Sequence, residues 1–130
     1  MAKKRITIIN DDAVSMALMK DLLEEEGYRA TIWDRKENAY YVIKRERPTL
    51  VIIDIRLESP DERWKILEQV RLDPMTTTIP VIICSADTQF LRWKRRQLRQ
   101  INCAVLEKPF RLEEFAARAS TTATVMAVMR

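Results

Sequence analysis

The sequence predicts an α/β fold, a doubly wound five-stranded parallel sheet with helices on both faces. Three observations lead to it. Short apolar runs recur at 6–9, 30–33, 50–53, 81–84 and 103–106. Most hold four apolar, β-branched-rich positions in a row without alternation, the pattern of strands buried on both faces. Longer stretches with helical spacing lie between them, and strands alternating with helices make a parallel sheet.

The elements follow in order. After the first strand, Val14, Leu18 and Leu22 repeat every four residues, and Gly27 closes that helix. After the third strand, Trp64, Leu67, Val70 and Arg71 continue a helix to Asp73 and Pro74, where proline ends it. The segment Glu58, Ser59, Pro60, Asp61, Glu62 and Arg63 before it reads as a charged, glycine-free loop. The densest basic run, Arg92-Trp93-Lys94-Arg95-Arg96-Gln97-Leu98-Arg99, forms the fourth helix. Spacing leaves open whether Phe90 and Trp93 are core or exposed. A last helix starts at Leu112, with Leu112, Phe115 and Ala116 on one face, and weakens through 121–124. There is no internal repeat, linker or low-complexity segment, so residues 1–130 read as one domain.

Composition narrows the function. Apolar residues at 47% and charged residues at 32% exclude a disordered chain. No apolar run approaches the ~20 residues of a membrane span. The basic Met1-Ala2-Lys3-Lys4-Arg5 precedes too short an apolar stretch for a signal peptide, and a cytoplasmic location is expected. A chain without histidine cannot be a histidine phosphodonor, runs no Ser-His or Cys-His pair, and lacks the commonest zinc ligand. With one glycine it has no Gly-rich phosphate loop. Cys84 and Cys103 suit a reducing compartment and should lie at opposite ends of neighbouring strands, too far for a disulfide. The methionines Met16, Met19, Met75, Met126 and Met129 read as ordinary packing. A net charge of +4 permits an acidic partner without demanding one.

In a doubly wound sheet, ligands bind beyond the carboxyl ends of the strands. Asn10, Asp11 and Asp12 follow the first apolar run, and Asp54 follows the third. Ser85, Ala86 and Asp87 follow the fourth, and Glu107, Lys108, Pro109 and Phe110 the fifth. Two carboxylates about 4 Å apart repel by roughly 4 kcal/mol at an effective dielectric near 20. Asp11 and Asp54 therefore call for a cation, and oxygen-only ligands select a hard divalent ion such as Mg2+. Lys108 offers a point charge and Ser85 a hydroxyl for phosphoryl oxygens. This is equipment for moving a phosphoryl group onto a carboxylate, with Asp54 as nucleophile.

Residues 5–118 resemble the response-regulator receiver domains of bacterial two-component signalling. The matching pieces are Ile8-Ile9-Asn10-Asp11-Asp12, Gly27-Tyr28, Pro48-Thr49-Leu50-Val51-Ile52-Ile53-Asp54, Pro80-Val81-Ile82-Ile83-Cys84-Ser85-Ala86 and Lys108-Pro109-Phe110. The resemblance implies a (βα)5, flavodoxin-like fold with strand order 2-1-3-4-5. It implies phosphotransfer from a kinase phosphohistidine to Asp54 and slow self-hydrolysis, with no other enzymatic activity. It implies that Asp11 and Asp54 bind Mg2+ with the backbone carbonyl of Arg56, and that Asn10 or Asp12 holds a metal-bound water. Lys108 and Ser85 would contact the phosphoryl group, Ser85 shifting toward it on activation.

Three departures from the family's pattern stand out. Asn10 replaces the first acid of the usual acidic pair, Val105 stands where the family has an aromatic switch residue, and the loop after Asp54 lacks its late glycine. Arg56 and Asp87 flank the mouth of the site, where pairing across it would slow dephosphorylation; two independent surface charges are the alternative. Asp12 is equally suited to capping the first helix.

The expected partner is a sensor histidine kinase or phosphotransfer protein, with an unidentified downstream protein. The resemblance places Val105 and the basic residues Arg92, Lys94, Arg95 and Arg96 on the face that receivers use for output; a solvated helix face is the plainer reading of the basic run, and docking to an acidic partner the sharper one. A homodimer through the fourth and fifth helices, with Glu113 or Glu114 of a second copy meeting the basic residues, is one further reading. Two rivals remain: a receiver-like interaction module that is never phosphorylated, and a nucleic-acid-binding protein using the basic helix. The second is disfavoured, since one aromatic in a basic helix is a poor stacking platform. A phosphatase or mutase needs an acid two residues past the nucleophile, where Arg56 stands.

Overall fold

A computed structural model describes residues 4–10, 12–35, 37–55, 60–100 and 103–107, together with Glu113, Glu114 and Ala117. The elements are β1 (Arg5–Ile9), α1 (Ala13–Glu25), β2 (Arg29–Trp33), α2 (Ala39–Glu46), β3 (Leu50–Ile55), α3 (Pro60–Leu72), β4 (Val81–Ser85), α4 (Thr88–Gln100) and β5 (Cys103–Glu107). All strand pairings are parallel and the order is β2-β1-β3-β4-β5. The five apolar runs became the five strands. The central strands β1 and β4 are buried on both sides, whereas β2 and β5, at the edges, are only partly covered.

Alternation along the strands sends successive side chains to opposite faces. Ile9, Val51, Ile53, Val81 and Ile83 face α2, α3 and α4, where they pack with Ile43, Leu67, Val70, Phe90 and Leu98. Ile6, Ile8, Leu50, Ile52 and Ile82 face α1 and pack with Met19 and Leu23. Helices therefore cover both faces, and each fully buried Ile or Leu contributes about 2 kcal/mol.

Gly27 ends α1 at φ 94, where side-chain-bearing residues are strained, and the Tyr28 N–H closes the turn onto the Leu23 carbonyl at 3.0 Å. The face of α1 differs from the expected one. Val14 is 72% and Leu18 50% exposed, while Met16, Met19 and Leu23 are buried. At 3.6 residues per turn, a strict four-residue repeat drifts about 40° per step, so it does not stay on one face. Helix α3 begins at Pro60, a residue preorganised for a first helical turn, so residues 60–63 of the charged segment are helical and Arg63 is buried, while 58 and 59 lie outside the described residues. Met75 is half exposed; Met126, Met129 and the helix expected from Leu112 lie outside the described residues apart from Glu113, Glu114 and Ala117. Cys84 pairs with Leu106 and Cys103 with Val81, three residues out of register, and the two are not joined in a disulfide.

A polar tie joins α2 to the turn after α3. The Tyr40 hydroxyl donates to Asp73 Oδ2, the Met75 N–H donates to Oδ1 at 2.9 Å, and Lys44 Nζ lies 3.1 Å from Oδ2. These bonds, Tyr40's foremost, hold the Asp73 carboxyl down at about 2. A carboxyl lowered on folding stabilises the fold above its ordinary 3.8 and loses that contribution as pH falls toward 2. Asp73→Asn is expected to lower Tm at neutral pH and to flatten its decline between about pH 4 and 2. Melting curves across that range test this, and parallel declines in both proteins would rule it out.

Candidate functional site

The chain reverses its direction of winding between β1 and β3, which are neighbours although β2 separates them in sequence. That is the switch point at which doubly wound sheets bind ligands. Ile9 pairs with Ile53 and Asp54 with Cys84, so Asn10 leaves β1 level with Asp54 on the next strand. Ser85 lies one residue further along β4, paired with Ile55 on one side and Glu107 on the other. Adjacent strands are about 4.8 Å apart, which brings these positions into one patch. Asn10 and Ser85 are 0% exposed and Asp54 5%. Three buried polar side chains at the carboxyl edge of three central strands are costly for a core and are the mark of a site.

The neighbouring backbone explains each position. Asn10 Oδ1 accepts the Asp12 N–H at 2.9 Å, which fixes its amide and leaves Nδ2 buried with no partner among the described residues. Asp12 is exposed, and its carboxylate accepts the Val14 N–H at 3.2 Å as the cap of α1. Of the two residues proposed to hold a metal-bound water, Asn10 is therefore the buried one. Ser85 Oγ accepts the Asp87 N–H at 3.0 Å, and the Asp87 carboxylate accepts the Phe90 N–H at 2.9 Å, capping α4. The ring of Phe90 meets Trp64 and Trp93 edge-on, with centroids 6.0 and 6.4 Å apart. A continuous path thus runs from Ser85 into α4. The cap was not legible in the sequence, where Asp87 stood out only as a charge near the mouth.

Asp11, Arg56 and Lys108 lie outside the described residues, as does any pairing of Arg56 with Asp87. Among the described residues, no group of three His, Cys, Asp or Glu side chains gathers to hold a metal. The donors that are described, the Asp54 carboxylate and the second lone pair of Asn10 Oδ1, are oxygens of the kind magnesium takes. They fit a hard cation. Val105 is partly buried against the α4 side of the sheet. Arg92, Arg95 and Arg96 are exposed, Lys94 is half-buried, and Arg95 and Arg99 line a groove along β5 that includes Glu114. No helix among the described residues is long and apolar enough to cross a membrane.

A family model described as the response regulator receiver domain matches residues 6–120. The chain belongs to the receiver family of response regulators. The polar-differentiation response regulator DivK of Brucella anthropi is 26% identical over 113 residues, 86% of this chain and 89% of that protein. An uncharacterized 14.6 kDa protein of Leptolyngbya boryana is 28% identical over 86 residues, 66% of this chain and 65% of that protein, so the match spans just under two-thirds of that relative. A CheY-like receiver domain from Methanospirillum hungatei superposes with a TM-score of 0.82 at 22% identity, covering 99% of this chain and 100% of that one. The receiver domain of a Pseudomonas aeruginosa sensor histidine kinase, solved with magnesium coordinated in its active-site cleft, superposes with a TM-score of 0.78 at 22% identity, over 95% of this chain and 99% of that one. At such identities the likeness is one of fold. These receiver domains bear out the five-stranded 2-1-3-4-5 fold expected from the sequence.

Proposed function

We propose that this receiver is a phosphoacceptor switch in which Asp54 takes a phosphoryl group from the phosphohistidine of a sensor kinase or phosphotransfer protein. The observation that carries this reading is the near-complete burial of the Asp54 carboxylate at the switch point, level with Asn10 and beside Ser85. An Asp54 carboxylate oxygen attacks phosphorus, the phosphorus–nitrogen bond of the donor breaks, and the imidazole leaves with the electron pair and is protonated. Asp11 and Asp54, the carbonyl of Arg56, and Asn10 through a water would hold Mg2+. When bound, the ion neutralises charge on the phosphoryl oxygens. Lys108 and Ser85 contribute the remaining charge and a hydroxyl donor. Val14 and Leu18, exposed on the helix that leaves the acceptor edge, offer apolar area to a protein donor.

Transmission follows the path from Ser85. When the hydroxyl moves toward a phosphoryl oxygen, Oγ withdraws from the Asp87 N–H, and the cap that orients α4 is disturbed. This gives α4 a route to respond with Val105 in place of an aromatic. The test is incubation with Mg2+ and a small-molecule phosphodonor, followed by intact mass measurement. A gain of one phosphoryl group that requires Mg2+ supports the switch; no gain and no Mg2+ binding would favour an unphosphorylated interaction module.

Asn10 tunes the metal. Asn10→Asp adds a carboxylate beside the ion's position, and one extra charge pair at that range is expected to tighten Mg2+ about tenfold. Titration of tryptophan fluorescence with Mg2+ reads this, and an unchanged midpoint would place Asn10 outside the ion's reach.

A further inference from the structure

We propose that the surface formed by α3 and α4 docks an acidic protein segment carrying an apolar anchor residue. The proposal does not depend on phosphorylation of Asp54. Helix α4 holds Arg92, Lys94, Arg95, Arg96 and Arg99 and no acid. Among the described residues none of these five cations forms a salt bridge, and the four arginines are exposed. Arg92 with Arg96 and Arg95 with Arg99 stand four residues apart, where like charges weaken a helix. Arg95 and Arg99 share the β5 groove with Glu107 and Glu114, whereas Arg92 and Arg96 have no acid beside them among the described residues and leave their charge to be met from outside.

Charge alone does not choose the partner; the apolar features beside it do. Trp93 is 74% exposed although its ring already contacts Phe90, and Lys94 Nζ sits between indoles, 4.5 Å from the Trp64 centroid and 4.7 Å from that of Trp93. Next to them a groove of about 410 Å3 runs between the two helices, lined by Trp64, Glu68, Arg71, Leu72, Gln97 and Gln100. Leu72, at its end, is 82% exposed. An exposed tryptophan beside arginines and a small apolar concavity is the composition of a protein-binding hot spot. Nucleic-acid phosphates would meet the arginines but leave the groove and Leu72 unused. An acidic segment with one Leu, Met or aromatic side chain uses both, its carboxylates on Arg92 and Arg96 and its anchor in the groove.

The experiment is selection from a display library of random peptides long enough to span α4, with the whole chain as bait. Enriched peptides are expected to be acidic with an apolar residue, and to bind more weakly as salt is raised. Their affinity should fall about tenfold or more with Trp93→Ala or Arg96→Glu, both at exposed positions that leave the core intact. Lys20→Glu, a charge reversal on α1 across the sheet, should change it by less than about twofold. Enriched peptides without acids, peptides that bind Trp93→Ala as well as the unaltered protein, or an empty selection would overturn the proposal. A duplex DNA bound more tightly than the selected peptides would also overturn it, by giving the surface to nucleic acid.

Discussion

Asp54→Asn is expected to abolish phosphoryl uptake, with the rate falling by at least about 10^4-fold, the scale on which removal of a nucleophile acts. The amide is nearly isosteric with the carboxylate, so it fits the same 5%-exposed position at the end of β3. Neither amide atom is a competent nucleophile toward phosphorus at neutral pH, so the loss is chemical and not structural. The variant should therefore melt as cooperatively as the unaltered protein. It should also bind Mg2+ more weakly, because one of the anionic ligands assigned to the ion becomes neutral. Intact mass after exposure to phosphodonor and Mg2+ reads the first effect and a fluorescence titration the second. A phosphoryl mass that survives in the variant would move the acceptor to another residue, and Asp12, the exposed acid beside Asn10, would be examined next.

The sheet was legible because its strands are buried: runs of β-branched residues such as Leu50-Val51-Ile52-Ile53 have few other uses in a chain of this size. A parallel sheet brings its carboxyl ends to one edge, and of the residues after those runs Asn10, Asp54 and Ser85 meet there, while Asp11 and Lys108 lie outside the described residues. What the sequence left open were questions of helical phase. Val14 and Leu18 suggested a buried stripe, yet Met16, Met19 and Leu23 are the residues that meet the sheet. On α4 the alternatives for Phe90 and Trp93 are resolved by Asp87. Its carboxylate captures the Phe90 N–H and fixes the first turn, so Phe90 goes inward at 7% exposure and Trp93 outward at 74%. Arg63 was hidden for a related reason: Pro60 starts α3 early, and the helix then carries Arg63 into the interior. Such features depend on caps and starting points a residue or two from the pattern, where periodicity holds little information.

Ser85→Ala separates phosphorylation from its transmission. The hydroxyl is fully buried and serves as acceptor for the Asp87 N–H, so its loss is expected to lower stability by about 1 kcal/mol. Uptake at Asp54 should slow by roughly tenfold or more, the loss of one hydrogen bond to a charged group, but it should not stop, because the nucleophile remains. The larger effect is on coupling. In the proposed switch, movement of Oγ would change the Asp87 cap, then the first turn of α4, then the packing of Phe90 against Trp64 and Trp93, which the static contacts connect. Trp93 fluorescence should therefore respond to phosphorylation, and Trp93→Phe identifies that share of the emission. In Ser85→Ala the same degree of phosphorylation should leave the Trp93 emission nearly unmoved. A full response there would mean that α4 is driven through β5, where Val105 packs against the α4 side of the sheet, and not through the hydroxyl. Asp87→Asn sharpens the distinction, since it keeps a capping oxygen for Phe90 and the same backbone N–H toward Ser85. If the path runs as described, the asparagine variant transmits while the alanine variant at Ser85 does not.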